Sequence, residues 1–555
     1  MYYIVRTGEN IVPVSSFLTM AKKDWFKLKQ YAHIGLPFRD KDAGWLIDYV
    51  TDPKKIRKHR FTPFIKREVI QRKFRPESSD KNEYGKRVRK PKDPPKKRPI
   101  LYASHLDSLI FSYYSHYLSV MYEWYLRKQL FKDCPVAYRK IRKGKGQKGN
   151  KSNIEFAHDA FSSINAFKGE PVSVIVADVS NFFENLDHKI LHRQWKRVLN
   201  RYDDKGRLCM PDDHYSVYRA LTKKRYVKIH ELHNTFYDRL WVERCKPNNP
   251  KKTTRKQKKV AKRVNFRREN VIAFCTKKEF YRNHTSLIYS DRRGSKGNTQ
   301  HKNSYSEMGI PQGSPMSATL ANIYMLDFDE KMYDAVTSVG GFYQRYSDDL
   351  ILVVPLSAET FIHQTMLDSI SDIDSCKLEI HPDKTKLYRY LYNDGNYSGG
   401  LVCPHGNINP NYQLEYLGFE YTGSRVYIKT QGISKFYRSM IRSIKRGKFY
   451  ASKKHHKHKG LFKNKLVKRF TKLGGKRRLK RIPDPKRPGK YLPDPEKTYD
   501  WGNYFSYLMK ANSIMKDLNN GEDVINRQTR RFEKNFHHLI KNKKTKLKPT
   551  SKKKK

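Results

Sequence analysis

Three aspartates stand where carboxylates could do chemistry. Asp178 closes the run PVSVIVAD, while Asp348 and Asp349 sit side by side within FYQRYSDDLILVVP, which begins at Phe342. Adjacent carboxylates repel each other unless a cation neutralises them. Between these segments lies MGIPQGSPMSATLANIYMLDFDEKM, from Met308, a Gly-, Pro- and Ser-bearing loop whose backbone can approach a substrate closely. Taken in order, the three segments supply what a two-metal nucleotidyl transfer requires. One distant Asp and one paired Asp would hold two Mg²⁺ ions about 3.5–4 Å apart. One ion would lower the pKa of a primer 3′-hydroxyl; the other would stabilise the departing pyrophosphate. An oxygen-only donor set suits Mg²⁺, which prefers a few carboxylates plus substrate phosphates.

Alone, each signal has a bland reading. A single Asp after a strand is most often a helix cap, and a Gly-bearing loop is common. The pairs Asp203-Asp204 and Asp212-Asp213 read as harmless surface turns, because no β-patterned runs flank them.

The elements that must position the acids are legible. Val172, Val174 and Val176 alternate with Ile175 and Ala177 on the other face, giving a buried strand that delivers Asp178 at its C-terminal end. A helix is expected from about Asp187. The apolar runs around Ser347-Asp348-Asp349 predict a β-hairpin with the acids at its tip. The loop at Gln312 leads into a helix with Met316, Leu320, Ile323 and Tyr324 on its apolar side.

In this order the segments resemble motifs A, B and C of reverse transcriptases, the third in the form Tyr346-Ser347-Asp348-Asp349. His381-Pro-Asp-Lys384-Thr-Lys resembles motif D, and Tyr416-Leu417-Gly418-Phe resembles motif E, the primer grip. Upstream, Lys96-Lys-Arg98-Pro-Ile followed by Asp107, and then Val136-Ala-Tyr-Arg139, resemble the fingers motifs. The resemblance runs from about Pro94 to Phe419. Compact bacterial enzymes of the retron, group II intron and phage-defence-associated groups are the nearest type.

The resemblance implies an α/β (α+β) right-hand polymerase with fingers, an antiparallel-sheet palm and a helical, thumb-like C-terminal region. Asp178, Asp348 and Asp349 would be catalytic and, with the carbonyl of Val179, would hold two Mg²⁺ ions, with Mn²⁺ as a substitute. Lys96 and Arg98 would hold the triphosphate. Phe183 would be the steric gate that excludes a ribose 2′-hydroxyl, so the substrate would be dNTP. Gln312 would contact the nucleotide or template, and Lys384 would neutralise or protonate the leaving group. Tyr416, Leu417 and Gly418 would grip the primer. The activity implied is RNA-directed DNA synthesis; an RNA-dependent RNA polymerase and a catalytically silent RNA-binding scaffold are the alternatives.

Composition sets the surroundings of this site. Over 555 residues, 116 Lys and Arg oppose 54 Asp and Glu, a net charge of +62. Aromatics at 13% mark a folded chain, and such a positive surface needs a polyanion, for which nucleic acid is the usual partner. No signal-peptide pattern or membrane span is expected, and six scattered cysteines suggest reduced intracellular thiols, in cytoplasm or nucleus; the resemblance implies a bacterial cytoplasm. Arg244–Arg268 holds twelve Lys and Arg without an acid; Tyr421–Pro483 holds 22 without one. The surplus suggests a dedicated structured noncoding RNA as template, with DNA as product, and homo-oligomerisation is left open. Lacking RNase H or zinc-endonuclease signatures, the chain is expected to serve a domesticated role such as antiviral (antiphage) defence.

Three regions follow: a mostly helical N-terminal extension (1–90) of unassigned role; fingers and palm (91–425) with an insertion at about 200–305; and a basic helical region (426–555) with a disordered Lys-rich tail. Two decoys are set aside. GKGQKGNKS (Gly144–Ser152) has Asn150 where a phosphate loop needs Lys, and His455, His456 and His458 lie among lysines that would repel a metal.

Overall fold

A computed structural model describes residues 4–7, 10–13, 24–71, 77–81, 87–89, 95–144, 146, 149–246, 249–290, 307–452, 461–475, 481–483, 491–493 and 502–542. The His455–His458 cluster, the Lys-rich tail, and parts of the basic, Pro-bearing stretch 85–99, of Gly144–Ser152 and of the Pro-rich stretch 482–495 lie outside them. The chain divides into two compact units: residues 1–138, 179–333 and 366–380, and residues 139–178, 334–365 and 381–555.

The second unit is built on a six-stranded antiparallel sheet. Its order is Phe342–Tyr346, Asp349–Pro355, Val172–Asp178, Lys386–Asn393, Asn396–Val402, Ile408–Asn409. The Val172–Asp178 strand is central because both its faces are apolar: Val172, Val174, Ile175 and Ala177 are all buried. Helix Asn153–Asn165 covers one face with Ile154, Ala157, Phe161 and Ile164. Its N-terminus is closed by a capping box in which Ser152 and Glu155 satisfy each other's backbone N–H groups. A small sheet follows (Leu414–Tyr416, Phe419–Tyr421, Val426–Ile428), then helices Thr430–Ala451, Lys463–Phe470, Tyr504–Ile514, Val524–Thr529 and Arg531–Lys541. Met440, Ile444, Leu466, Phe470 and Phe536 form a core among these helices, which explains several of the aromatics in the acid-free stretch.

The first unit contains two four-stranded sheets. One has the order Tyr289–Ser290, Arg225–Lys228, Phe64–Gln71, Lys96–Tyr102; the other, Asn249–Lys258, Leu240–Lys246, Val271–Cys275, His33–Ile34. Helix His105–Leu126 starts at the Ser104 cap, and helix His188–Leu199 at the Asp187 cap, whose side chain accepts from Lys189 and Ile190 N–H.

Two local expectations differ from the structure. The described part of residues 1–90 carries more strand than helix: His33–Ile34 and Phe64–Gln71 join sheets whose partners lie far along the chain, which local helical patterning does not reveal. Asp213 is buried and accepts from the Tyr114 hydroxyl at 2.7 Å, so the Asp212-Asp213 pair opens a helix rather than a surface turn. Helix Tyr504–Ile514 buries Phe505, Leu508, Ala511 and Asn512 and exposes Met509.

Candidate active site

All three acids belong to the second unit. The register of the central strands places Asp178 directly opposite Asp349, the last pair of a ladder that continues through Leu350–Ala177 to Pro355–Val172. Across the other edge, Tyr346 pairs with Asp349, leaving Ser347-Asp348 as a two-residue turn. Such turns need a left-handed residue to match the strand twist, and Ser347 takes it, at φ 64°. The fully buried Arg345 guanidinium donates to the Ser347 carbonyl at 3.0 Å, bracing the turn from beneath.

Crowding has an electrostatic signature. The Asp349 carboxyl is pushed up to about 6, first by desolvation, then by the negative charges of Asp348 and Asp178; Lys384 and Lys429 pull it the other way. The residue as a whole keeps accessible surface.

Lys384 completes the set. The short turn Pro382–Lys384 is held by Lys384 N–H and Thr385 N–H donating to the His381 carbonyl, and His381 N–H donates to the Asp178 carbonyl at 2.8 Å. This turn carries the Lys384 ammonium onto the Asp178 carboxylate. The lysine side chain remains nearly half exposed, so it can also meet a ligand.

Tyr416, Leu417 and Gly418 form a second tight turn, with Tyr416 paired to Phe419 and both Leu417 and Gly418 left-handed at φ 45° and 93°. Asn153 donates to the Leu417 carbonyl and Lys429 N–H to the Gly418 carbonyl. The buried Tyr416 hydroxyl donates to Gln344 Oε1 at 3.1 Å, tying this turn to the strand that leads into Ser347-Asp348. Glu415 beside it pairs with Lys429 at 2.6 Å.

Lys96, Arg98, Val179, Phe183 and Gln312 belong to the first unit. Lys96 and Arg98 occupy strand Lys96–Tyr102, paired with Gln71 and Val69, and Arg98 is exposed. The Gln312 carbonyl accepts the Leu101 N–H at 2.8 Å, so the loop lies along that strand. Gly313 makes the approach possible: at φ 109°, a Cβ there would sit 2.9 Å from Ile100 and 3.0 Å from the Leu101 carbonyl. Of the two adjacent phenylalanines, Phe182 enters the core and Phe183 stays half-buried, with its carbonyl accepting Ile310 N–H. Val179 is buried and bridges to Ile380. Asp107, noted upstream, is buried and bonds His59 and the Thr62 N–H, a packing role.

Arg345, Gln344 and Lys429 are absent from the sequence reading. The signal for the first two is two polar side chains inside an otherwise apolar strand; Lys429 carries none. Among the described residues no three His, Cys, Asp or Glu side chains form a metal cage. Mg²⁺ bound through one or two carboxylates and substrate phosphates needs none, and the crowded, oxygen-only acids fit that mode.

Residues 263–421 match the family model described as reverse transcriptase (RNA-dependent DNA polymerase). The chain carries a reverse transcriptase domain. Gln312, Asp348, Asp349, Lys384 and Tyr416–Gly418 fall inside the match. Asp178 lies upstream of it, and strand pairing is what joins that residue to the reverse transcriptase hairpin. The match also begins within the 200–305 segment. The described residues form a mixed α/β architecture with an antiparallel sheet and a helical C-terminal region. No curated protein sequence matches the chain. Among solved structures it is similar to telomerase from Candida albicans in complex with a TWJ fragment of telomeric RNA (11% identity, TM-score 0.33, 76% of this chain and 58% of that one). It is also similar to apo telomerase from Candida tropicalis (10% identity, TM-score 0.33, 76% and 59%). The chain thus spans under two thirds of the length of either. No helix among the described residues is long and apolar enough to cross a membrane.

Proposed function

We propose that the chain is an RNA-directed DNA polymerase, with Asp178, Asp348 and Asp349 as catalytic acids. The observation that supports this most is the register of Asp178 against Asp349 beside the Ser347-Asp348 turn. Asp178, Asp348, Asp349 and the Val179 carbonyl would hold two Mg²⁺ ions, which when bound supply charge stabilisation at the attacking and leaving oxygens. Lys384 Nζ, resting on Asp178, is the proton source for the leaving pyrophosphate. Lys96 and Arg98 hold the triphosphate, Gln312 contacts the nucleotide or template, Phe183 excludes ribonucleotides, and Tyr416–Gly418 seats the primer end.

Residues 91–425 are assigned to fingers and palm, and the basic region from 426 to binding RNA. The charge surplus supports a large, dedicated RNA template, whose binding would fall steeply with salt. The resemblance to phage-defence enzymes extends the reading to antiviral defence in a bacterial cytoplasm, tested by plaquing on cells carrying the native chain or Asp348→Ala/Asp349→Ala. The biochemical test is primer extension on RNA with Mg²⁺: dNTP incorporation is expected, whereas preferential NTP incorporation, or RNA binding without incorporation, overturns the reading.

A further inference from the structure

The 200–305 segment builds a cleft that the polymerase reading leaves unused. Strand Phe64–Gln71 pairs with Lys96–Tyr102 along its whole length on one edge. On the other edge it pairs with Tyr226–Lys228 only from Phe64 to Lys66. Beyond Lys66 this second edge has no strand partner among the described residues. There, closed by the segment Ala261–Arg267, lies a cleft of about 1180 Å³.

Its walls are cationic. Lys66, Arg67, Lys228, Lys262, Arg263 and Arg267 line it, against one lining carboxylate, Glu68. Lys228 pairs with Glu231 at 3.3 Å, but none of the other five has a carboxylate partner among the described residues. Its apolar surface is just as unusual: Val264 is 85% exposed and Ile70 56%, both on the cleft. Beside it Tyr226 and Tyr289 stack at 5.6 Å, with Lys66 over the first ring and Lys228 over the second.

The cleft is separate from the candidate nucleotide site. Leu101 N–H points to the Gln312 carbonyl, away from Phe64–Gln71, so the Gln312 loop and the cleft flank opposite edges of the two-stranded ribbon. The volume exceeds the roughly 300–1,000 Å³ usual for a small-molecule pocket, which favours a length of chain over one mononucleotide. Unpaired cations suit phosphodiesters, while exposed apolar and aromatic surface suits unstacked bases, which a duplex does not present.

We propose that this cleft, formed by the 200–305 segment against the edge of Phe64–Gln71, binds a single-stranded stretch of polynucleotide. Because the whole surface is basic, the test must locate binding as well as measure it. A thiouridine-bearing RNA oligomer and a thiothymidine-bearing DNA oligomer are photo-crosslinked to the full chain without dNTP or Mg²⁺, so failure of the polymerase reading is scored separately. Crosslinks are expected in the peptide spanning 261–267. In Lys262→Ala/Arg263→Ala/Arg267→Ala their yield should fall at least about tenfold, and the slope of log affinity against log salt should shrink by about 2, at about 0.7 per lost single-strand contact. Loss with RNA alone assigns the strand as RNA; equal loss with DNA assigns recognition to phosphates and bases. Lys66→Ala/Lys228→Ala, on different elements, should lower the yield as well, guarding against a folding defect in the first variant. Unchanged yield in both variants, or competition by a blunt duplex as effective as by the single strand, overturns the proposal.

Discussion

Asp178 and Asp349 face each other across an antiparallel strand pair at the end of their ladder, with Asp348 in the adjoining turn. Directly opposed like charges destabilise a sheet, so this arrangement costs stability unless a proton or cation intervenes.

The proton is the first prediction. Asp349 titrates near 6 in the folded chain, above its ordinary value of 3.8. Below about pH 4 both folded and unfolded chains hold the proton, and no penalty exists. Between 4 and 6 the unfolded chain releases it first, so stability falls as pH rises, then levels off. Asp349→Asn removes this fall. Its melting temperature should match the native chain at pH 4 and exceed it at pH 7.5 without metal. Added Mg²⁺ should then raise the native chain more than the variant. An equal difference at both pH values contradicts the account.

Lys384 couples to the same carboxyls. Lys384→Ala should lower kcat for dNTP incorporation on the order of 100-fold, with a smaller change in KM. Because Lys384 also holds the Asp349 pKa down, the acid limb of the pH–rate profile should move to higher pH in the variant. A lower kcat with an unmoved acid limb would separate the two roles.

The turn itself can be probed at Ser347. An L-residue at φ 64° carries a steric cost of about 1–2 kcal/mol that glycine avoids. Comparing Ser347→Gly with Ser347→Ala removes the hydroxyl from both. Denaturant unfolding should find the glycine variant more stable by about 1 kcal/mol, after allowing for glycine's entropy. Removing the brace, Arg345→Met, should cost about 2–3 kcal/mol, the worth of a buried charged hydrogen bond.

Phe183 tests substrate choice. Since Phe182 fills the core and Phe183 does not, Phe183→Ala should fold normally and Phe182→Ala should lose about 3–5 kcal/mol. Only the Phe183 variant should gain NTP incorporation in primer extension.

The acids and their elements were legible because each depends on local pattern: alternating valines before Asp178, two apolar runs around Ser347-Asp348, a Gly–Pro–Ser loop before a helix. Contacts fixed by register between distant strands were not. Tyr416 reaches Gln344 across 72 residues, and nothing near either predicts the bond. His33–Ile34 finds its sheet partner at Ala273 and Cys275, far along the chain, so local pattern alone makes the N-terminal region look helical. Asp213 looked like a surface acid because its partner, Tyr114, lies 99 residues away.

The central claim is that Asp178, outside the family match, works with the hairpin acids inside it. Single-turnover primer extension on an RNA template, with Mg²⁺ and dNTPs, should yield labelled DNA from the native chain. Asp178→Ala and Asp348→Ala/Asp349→Ala should each leave none, while template affinity stays unchanged. DNA made by Asp178→Ala at the native rate would contradict the account.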